Sequence, residues 1–171
     1  TYYFEKHTSD IALLKRAHDK MLKVLEAEWK NKADNLPLKT PYDALILASI
    51  VEKETAQVTE RPLIAGVFIR RLQTGMLLQT DPTVIYGMSD NYKGNISSTD
   101  LKTTTPYNTY QIKGLPPTPI AMPGREAINA SLHPDNSNNL YFVARGDGTH
   151  QFSATLSEHN LAVNQFQRKQ K

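Results

Sequence analysis

Apolar residues recur at helical spacing from the start of the chain. Ile11, Leu14, Ala17, Met21, Leu22 and Leu25, with charged residues between them, predict an amphipathic helix over residues 8–33. Thr8, Ser9 and Asp10 offer caps, and Asn35-Leu-Pro37 ends the pattern. Thr40-Pro41 opens a second helix, with threonine as cap and proline in the first turn, running to about Ala56. Leu63, Ile64, Val67, Phe68 and Leu72 mark a third over Arg61–Thr74, stopped by Gly75. Asp81-Pro82 starts a short fourth through Tyr86.

From Gly87 to Pro119 the chain is rich in Gly, Pro, Asn, Ser and Thr and predicts a long irregular stretch. Such stretches inside a domain are functional or disordered, and Tyr92, Tyr107 and Tyr110 favour function. Pro123-Gly124 leads into a helix to about Leu132. Leu140–Arg145 and His150–Ala154 flank the turn Gly146-Asp-Gly-Thr149 and predict a hairpin. Thr155-Leu-Ser-Glu158 has capping-box spacing, so a last helix should run to about Gln167. The expected class is α+β: mainly helical, with a short antiparallel strand pair near the C-terminus.

Composition narrows the classes. With 171 residues the chain holds one domain with a real core, and 39% hydrophobic against 22% charged residues is a globular mixture. The net charge of +3 is mild and no element carries a stripe of Lys and Arg interleaved with aromatics, so nucleic acid is not an expected partner. Part of that charge lies in the tail residues Arg168, Lys169 and Lys171. The absence of cysteine excludes disulfides and cysteine–zinc sites. The longest apolar run, Ala44–Val51, falls far short of the ~20 residues of a membrane span. The chain opens at Thr1 without methionine, which predicts a fragment or processed product, so a missing targeting segment says nothing of location.

The segment Ala44–Ala56 carries a carboxylate in an apolar helix. At about 100° per residue Glu52 lies near Leu45, Ala48, Ser49 and Ala56, so small side chains flank it a turn away on either side. Glu54 projects from nearly the opposite side, near Leu47 and Ile50, and the two cannot easily serve one site. Desolvation by apolar neighbours disfavours a charged carboxylate, as a general acid working near neutral pH requires. The alternative is that Glu52 pairs with Arg61, Arg70 or Arg71 and only joins helices.

The five histidines, at 7, 18, 133, 150 and 159, show no metal-ligand spacing, and no metal or cofactor motif is present. His159 reads as capping and packing at a helix start, whereas His150 opens a strand and could line a cleft. Ser49, Ser131 and Ser153 lack a nucleophile-elbow context. Gln79-Thr-Asp-Pro-Thr83 gathers amide, hydroxyl and carboxylate groups at a helix start, Pro106-Tyr-Asn-Thr-Tyr110 sets two rings around an asparagine, and Gly114-Leu-Pro-Pro117 stiffens the chain after it. Each makes turns or caps on its own. Together they suggest a carbohydrate cleft, since sugars offer apolar C–H faces and a rim of hydroxyls.

Ser49-Ile-Val-Glu-Lys-Glu54, Gly66-Val-Phe-Ile-Arg-Arg-Leu72, Leu78-Gln-Thr-Asp-Pro-Thr83, Pro106-Tyr-Asn-Thr-Tyr110, Gly114-Leu-Pro-Pro117 and His150-Gln-Phe-Ser153 with Glu158-His-Asn160 follow in order. The set resembles the MltG/YceG-like endolytic peptidoglycan lytic transglycosylases, over about residues 40–165. Thr118 and Met122 depart from that family's pattern.

The resemblance implies that the first glutamate, Glu52, is catalytic. It implies peptidoglycan glycan strands as substrate, peptidoglycan synthases as partners, a LysM-like segment and an inner-membrane anchor upstream, and a periplasmic catalytic domain. Residues 1–39 would then lead from the upstream region, and residues 40–171 would form the catalytic domain. Glu52 would protonate the bond between N-acetylmuramic acid and N-acetylglucosamine and, once deprotonated, accept the proton of the muramic 6-hydroxyl as it attacks C1 to leave a 1,6-anhydro end. An intramolecular hydroxyl needs no second carboxylate to activate water. Asp81, the nearest candidate for one, is expected to cap its helix. Gln79, Asp81, Tyr107, Asn108, Tyr110 and His150 are the expected substrate-binding residues. A hydrolytic muramidase and a non-catalytic peptidoglycan-binding module are the rival readings.

Overall fold

Caps and helix breakers set the element boundaries. The computed structural model describes residues 2–168, so the basic residues Lys169 and Lys171, and the end of the expected catalytic domain with them, lie outside the described residues. Helix α1, Asp10–Lys30, starts at Ser9, whose hydroxyl accepts the Ala12 N–H at 3.1 Å. Helix α2, Pro41–Glu54, begins with a reciprocal box in which Thr40 caps Asp43 and Asp43 caps Thr40. Helix α3, Arg61–Thr74, ends at Gly75, whose φ of 70° is the left-handed conformation that glycine adopts without penalty. Helices α4, Asp81–Met88, and α6, Arg125–Leu132, are shorter. Helix α7, Leu156–Val163, has the expected Thr155–Glu158 box and continues into a π-helical turn over Asn164–Arg168.

Strands β1, Tyr141–Ala144, and β2, His150–Ser153, pair antiparallel with Phe142 opposite Phe152. The class is therefore α+β, with the strand pair near the C-terminus. The irregular stretch holds a 3-10 turn, Ser89–Asn91, and one further α-helix, α5, Ser98–Lys102, opened by a Ser97–Asp100 capping box. Its polar residues read as loop composition because serine and aspartate favour helix starts and turns for the same reason: their side chains bond nearby backbone.

Helix α2 is the centre of the core. Leu47, Ile50 and Val51 are fully buried, and with Ile64 and Phe68 of α3 and Ile128 and Leu132 of α6 they form one cluster. The C-terminal half of α1 joins the same packing across residue 39. Buried Glu28 accepts from Arg125 Nε at 2.6 Å and Asn129 Nδ2 at 2.7 Å, and the Ala33 N–H donates to the Leu132 carbonyl at 2.9 Å.

Two arginines of α3 fasten the hairpin to the helices. Arg70 donates to the carbonyls of Asn139 (2.7 Å) and Asp135 (3.0 Å), and Arg71 to those of Leu140 and Leu78 (both 2.8 Å). Phe142 meets Phe68 edge-on, with centroids 5.8 Å apart. Gly66 leaves space for this junction: a Cβ there would sit 2.0 Å from the Asp135 carboxylate and 2.9 Å from the Arg70 guanidinium, so that pair would have to shift.

Candidate active site

The two glutamates of α2 leave it in different directions, as the helical geometry requires. Glu52 is 28% exposed; its Oε1 accepts from Arg61 at 3.2 Å and its Oε2 from the Gly124 N–H at 3.0 Å. The small residues beside it do not leave room for a ligand. The chain from Ile120 to Gly124 occupies that room: the Ile120 N–H donates to the Ser49 hydroxyl at 2.9 Å, one turn before Glu52. The expected surroundings of Glu52, apolar and open to a substrate, are corrected to a charged and occupied one. The alternative pairing with Arg61 is what the structure shows.

Glu54 has the surroundings expected of Glu52. It lines a cavity of about 430 Å³ together with Arg71, Gln79, Asp81, Tyr110, Tyr141, His150 and His159. Desolvation is the chief cause that pushes its carboxyl up to about 7. The nearby Asp81 carboxylate adds to the rise, while the Thr80 hydroxyl, which donates to Glu54, and His150 and Arg71 oppose it. A carboxyl balanced near neutrality can both hold and give up a proton.

The two polar loop motifs come together beside it. Thr80 stands at the N-cap position of α4, yet its hydroxyl serves Glu54 instead of its own helix. Its N–H donates to Thr109 Oγ1 at 3.0 Å, and the Thr83 and Thr109 hydroxyls lie 2.8 Å apart, so a buried threonine cluster locks the start of α4 to residues 106–110. Gln79 leads into this turn with φ of 52°, its own N–H bonded to the Thr109 carbonyl at 3.1 Å. The Tyr110 hydroxyl donates to Asp81 Oδ1 at 2.5 Å. Burial first, and Asp81 as acceptor next, keep that phenol protonated far above its ordinary range.

Of the expected binding residues, Gln79, Asp81, Tyr110 and His150 line the cavity, and Tyr107 and Asn108 do not. Tyr107 packs on Tyr86 with ring centroids 4.9 Å apart and shares a 2.8 Å hydrogen bond with the Thr118 hydroxyl. Asn108 is 1% exposed, and its amide donates to the carbonyls of Asp100, Leu101 and Thr103 while its oxygen accepts the Tyr110 N–H. It organises the loop from inside. An asparagine between two tyrosines gives no sign, in sequence, of which of the three faces inward.

Glu54, Arg71, Tyr141 and His159 also line the cavity and were not among the expected site residues. Arg71 lies 5.3 Å from the Tyr141 ring centre, and that ring stacks on His159 at 5.2 Å. Burial, then Arg71, hold the His159 imidazole below its ordinary range, and its Nδ1 is buried without a hydrogen-bond partner. One signal was available: the Glu158-His-Asn160 segment lies just after the hairpin, the element whose strand carries His150.

The cleft thus joins a carboxyl balanced near neutrality to walls of aromatic and polar side chains. The chain belongs to the YceG-like family, whose model matches residues 1–165. It is 43% identical over 125 residues to an endolytic murein transglycosylase of Bacillus subtilis, covering 73% of this chain and 34% of that protein. It is 38% identical over 152 residues to the endolytic murein transglycosylase of Streptococcus pneumoniae R6, covering 84% of this chain and 26% of that one. Among solved structures, a YceG-like protein of Listeria monocytogenes superposes with a TM-score of 0.79 at 34% identity, covering 94% of this chain and 52% of the other. The chain spans about a third or less of the length of these curated relatives.

Proposed function

We propose that this domain cleaves the glycan strands of peptidoglycan as an endolytic lytic transglycosylase, with Glu54 as its general acid. The carrying observation is the contrast within α2. Glu54 stands at the cleft wall with its carboxyl pushed up to about 7, while Glu52 is tied to Arg61 and Gly124 away from it. The relatives named endolytic murein transglycosylases support the substrate class.

Glu54 protonates the oxygen between N-acetylmuramic acid and N-acetylglucosamine, and an oxocarbenium-like centre develops at the muramic C1. The 6-hydroxyl of the same sugar then attacks C1 and closes a 1,6-anhydro ring. Asp81 is the other carboxylate of the cleft, and the Tyr110 hydroxyl holds one of its oxygens at 2.5 Å. The intramolecular nucleophile is favoured over water by its high effective concentration beside C1. Among the described residues no helix is long and apolar enough to cross a membrane. Nascent strands as substrate, action outside the inner membrane and an anchor upstream are part of the same proposal.

Digestion of purified sacculi tests it. Wild-type protein should release fragments ending in anhydro-muramic acid, lighter by one water than reducing ends. Reducing ends would make the enzyme a muramidase, and binding without release would make the domain a non-catalytic module.

A further inference from the structure

Glu60 and His150 form a carboxylate–imidazole pair at the wall of the same cleft. Glu60 lies in a single 3-10 turn, Val58–Glu60, just before α3, and only 12% of its side chain is exposed. Its Oε1 accepts the backbone N–H of His150 at 2.8 Å and its Oε2 meets the imidazole Nδ1 at 2.7 Å. Thr55 adds a longer donor at 3.5 Å to Oε2. The imidazole is held from its other sides by Phe142, edge-on at 5.4 Å, and Phe152 at 6.4 Å. The Glu60 contacts and these two rings orient the imidazole.

An ionised carboxylate only accepts hydrogen bonds, so Nδ1 must carry the proton. The neutral ring then keeps a bare lone pair on Nε2, in a residue that lines the cavity with Glu54. In the reaction proposed above the attacking 6-hydroxyl has to lose a proton. Glu54 has just become a carboxylate and is engaged by the Thr80 hydroxyl. We propose that His150 Nε2 accepts the proton of the attacking hydroxyl, and that Glu60 is the positioning residue that makes it able to.

The step balances. The Glu54 proton passes to the bridging oxygen as the C1–O bond breaks. The 6-oxygen bonds to C1, and its proton passes to Nε2. The imidazolium so formed rests against the Glu60 carboxylate, as in other carboxylate-oriented histidines. After the anhydro product leaves, water carries the proton from Nε2 back to Glu54. This role rests on the glycan-cleaving reading of the cleft; the tautomer it requires does not.

The test is Glu60→Gln. The glutamine oxygen is claimed by the His150 N–H, so its amide N–H2 faces Nδ1 and can only donate there. The proton is thereby forced onto Nε2. Long-range nitrogen–proton correlation spectra of histidine-labelled protein above the imidazole titration range should show His150 as the Nδ1–H tautomer in wild type and as Nε2–H in the variant. On glycan strands kcat should fall roughly 10²-fold with KM within about twofold. His150→Asn keeps a donor toward Glu60 but removes Nε2, and should lose a similar factor. The double variant should be no slower than either single one. A wild-type proton on Nε2, or unchanged kcat in a Glu60→Gln protein with the inverted tautomer, overturns the proposal. If Glu60→Gln does not fold, the wild-type tautomer and the His150→Asn kcat decide alone. Failure of the wild type to release glycan fragments would instead remove the glycan reading and leave the tautomer result standing.

Discussion

Glu52 and Glu54 are two positions apart on α2 and end in unlike places: Glu52 against the Arg61 guanidinium at 3.2 Å, Glu54 in the cleft under the Thr80 hydroxyl. Under the proposed function this divergence separates a structural role, at Glu52, from a chemical one, at Glu54. Glu54→Gln should abolish release of glycan fragments, by at least 10²-fold, while the fold persists. Glu52→Gln keeps an acceptor for the Gly124 N–H and should retain most of the activity. Assayed side by side on sacculi, a dead Glu52→Gln with an active Glu54→Gln would return the acid role to Glu52.

Glu52 should nevertheless matter for stability. Arg61 has its side chain 11% exposed and its Nε is already buried without a partner. Glu52→Ala removes the nearest counter-charge and the acceptor of the Gly124 N–H together. A loss of about 1–3 kcal/mol is expected by denaturant unfolding, and an unchanged midpoint would show the pair to be idle.

The boundaries of the helices were legible because caps and breakers act locally: Thr40 with Asp43, Gly75, and Thr155 with Glu158 need no tertiary context to be read. The choice between the glutamates was not legible. A helical wheel gives the direction of each side chain but not what covers it. Residues 120–124 cross α2 at Ser49 and Glu52, and a segment about 70 residues away supplies that cover. For the same reason Tyr110 and Tyr107 could not be told apart, although one lines the cleft and the other faces Tyr86. The separation of Glu52 from Glu54 was correctly read; which of them met the cavity required the fold.

Asn108 should behave as a keystone of the loop and not as a ligand. Asn108→Ala would strand three carbonyl acceptors and the Tyr110 N–H within a 1%-exposed site. A loss of about 2–4 kcal/mol is expected, with KM for glycan rising because Tyr110 loses its anchor. Tyr107→Phe removes only the hydrogen bond to Thr118 and should leave KM within about twofold. Glycan affinity that falls with Tyr107→Phe and not with Asn108→Ala would place Tyr107 in the cleft after all.

The pH dependence of stability follows from Glu54. Its carboxyl is raised from the ordinary 4.5 to about 7 in the fold, so the native state binds more protons than the unfolded chain across that interval. The contribution is fully present below about pH 4.5 and is lost as pH rises through about 7. Its size is about 2–4 kcal/mol. Unfolding free energies of wild type and Glu54→Gln should therefore diverge between pH 5 and 8, with the variant the more stable at the alkaline end. Parallel curves would show that Glu54 is not desolvated.

As the proposed general acid, the same carboxyl should set the alkaline limb of activity, and Asp81 provides a way to move it. General-acid catalysis needs protonated Glu54, so kcat/KM should fall above about pH 7. Burial is the chief cause of the raised value, and the like charge of Asp81 comes after it among the raising causes. Asp81→Asn removes that charge but not the burial. The alkaline limb should thus shift partway toward lower pH and stay above the ordinary range of a glutamate. The Tyr110 hydroxyl can still donate to the asparagine oxygen, so the loop geometry is kept. A pH–rate profile of the variant gives three distinct outcomes. A partial downward shift supports Glu54 as the titrating acid, with Asp81 as its neighbour. An unmoved limb means that another group titrates, and an upward shift is incompatible with the loss of a negative charge beside a carboxyl.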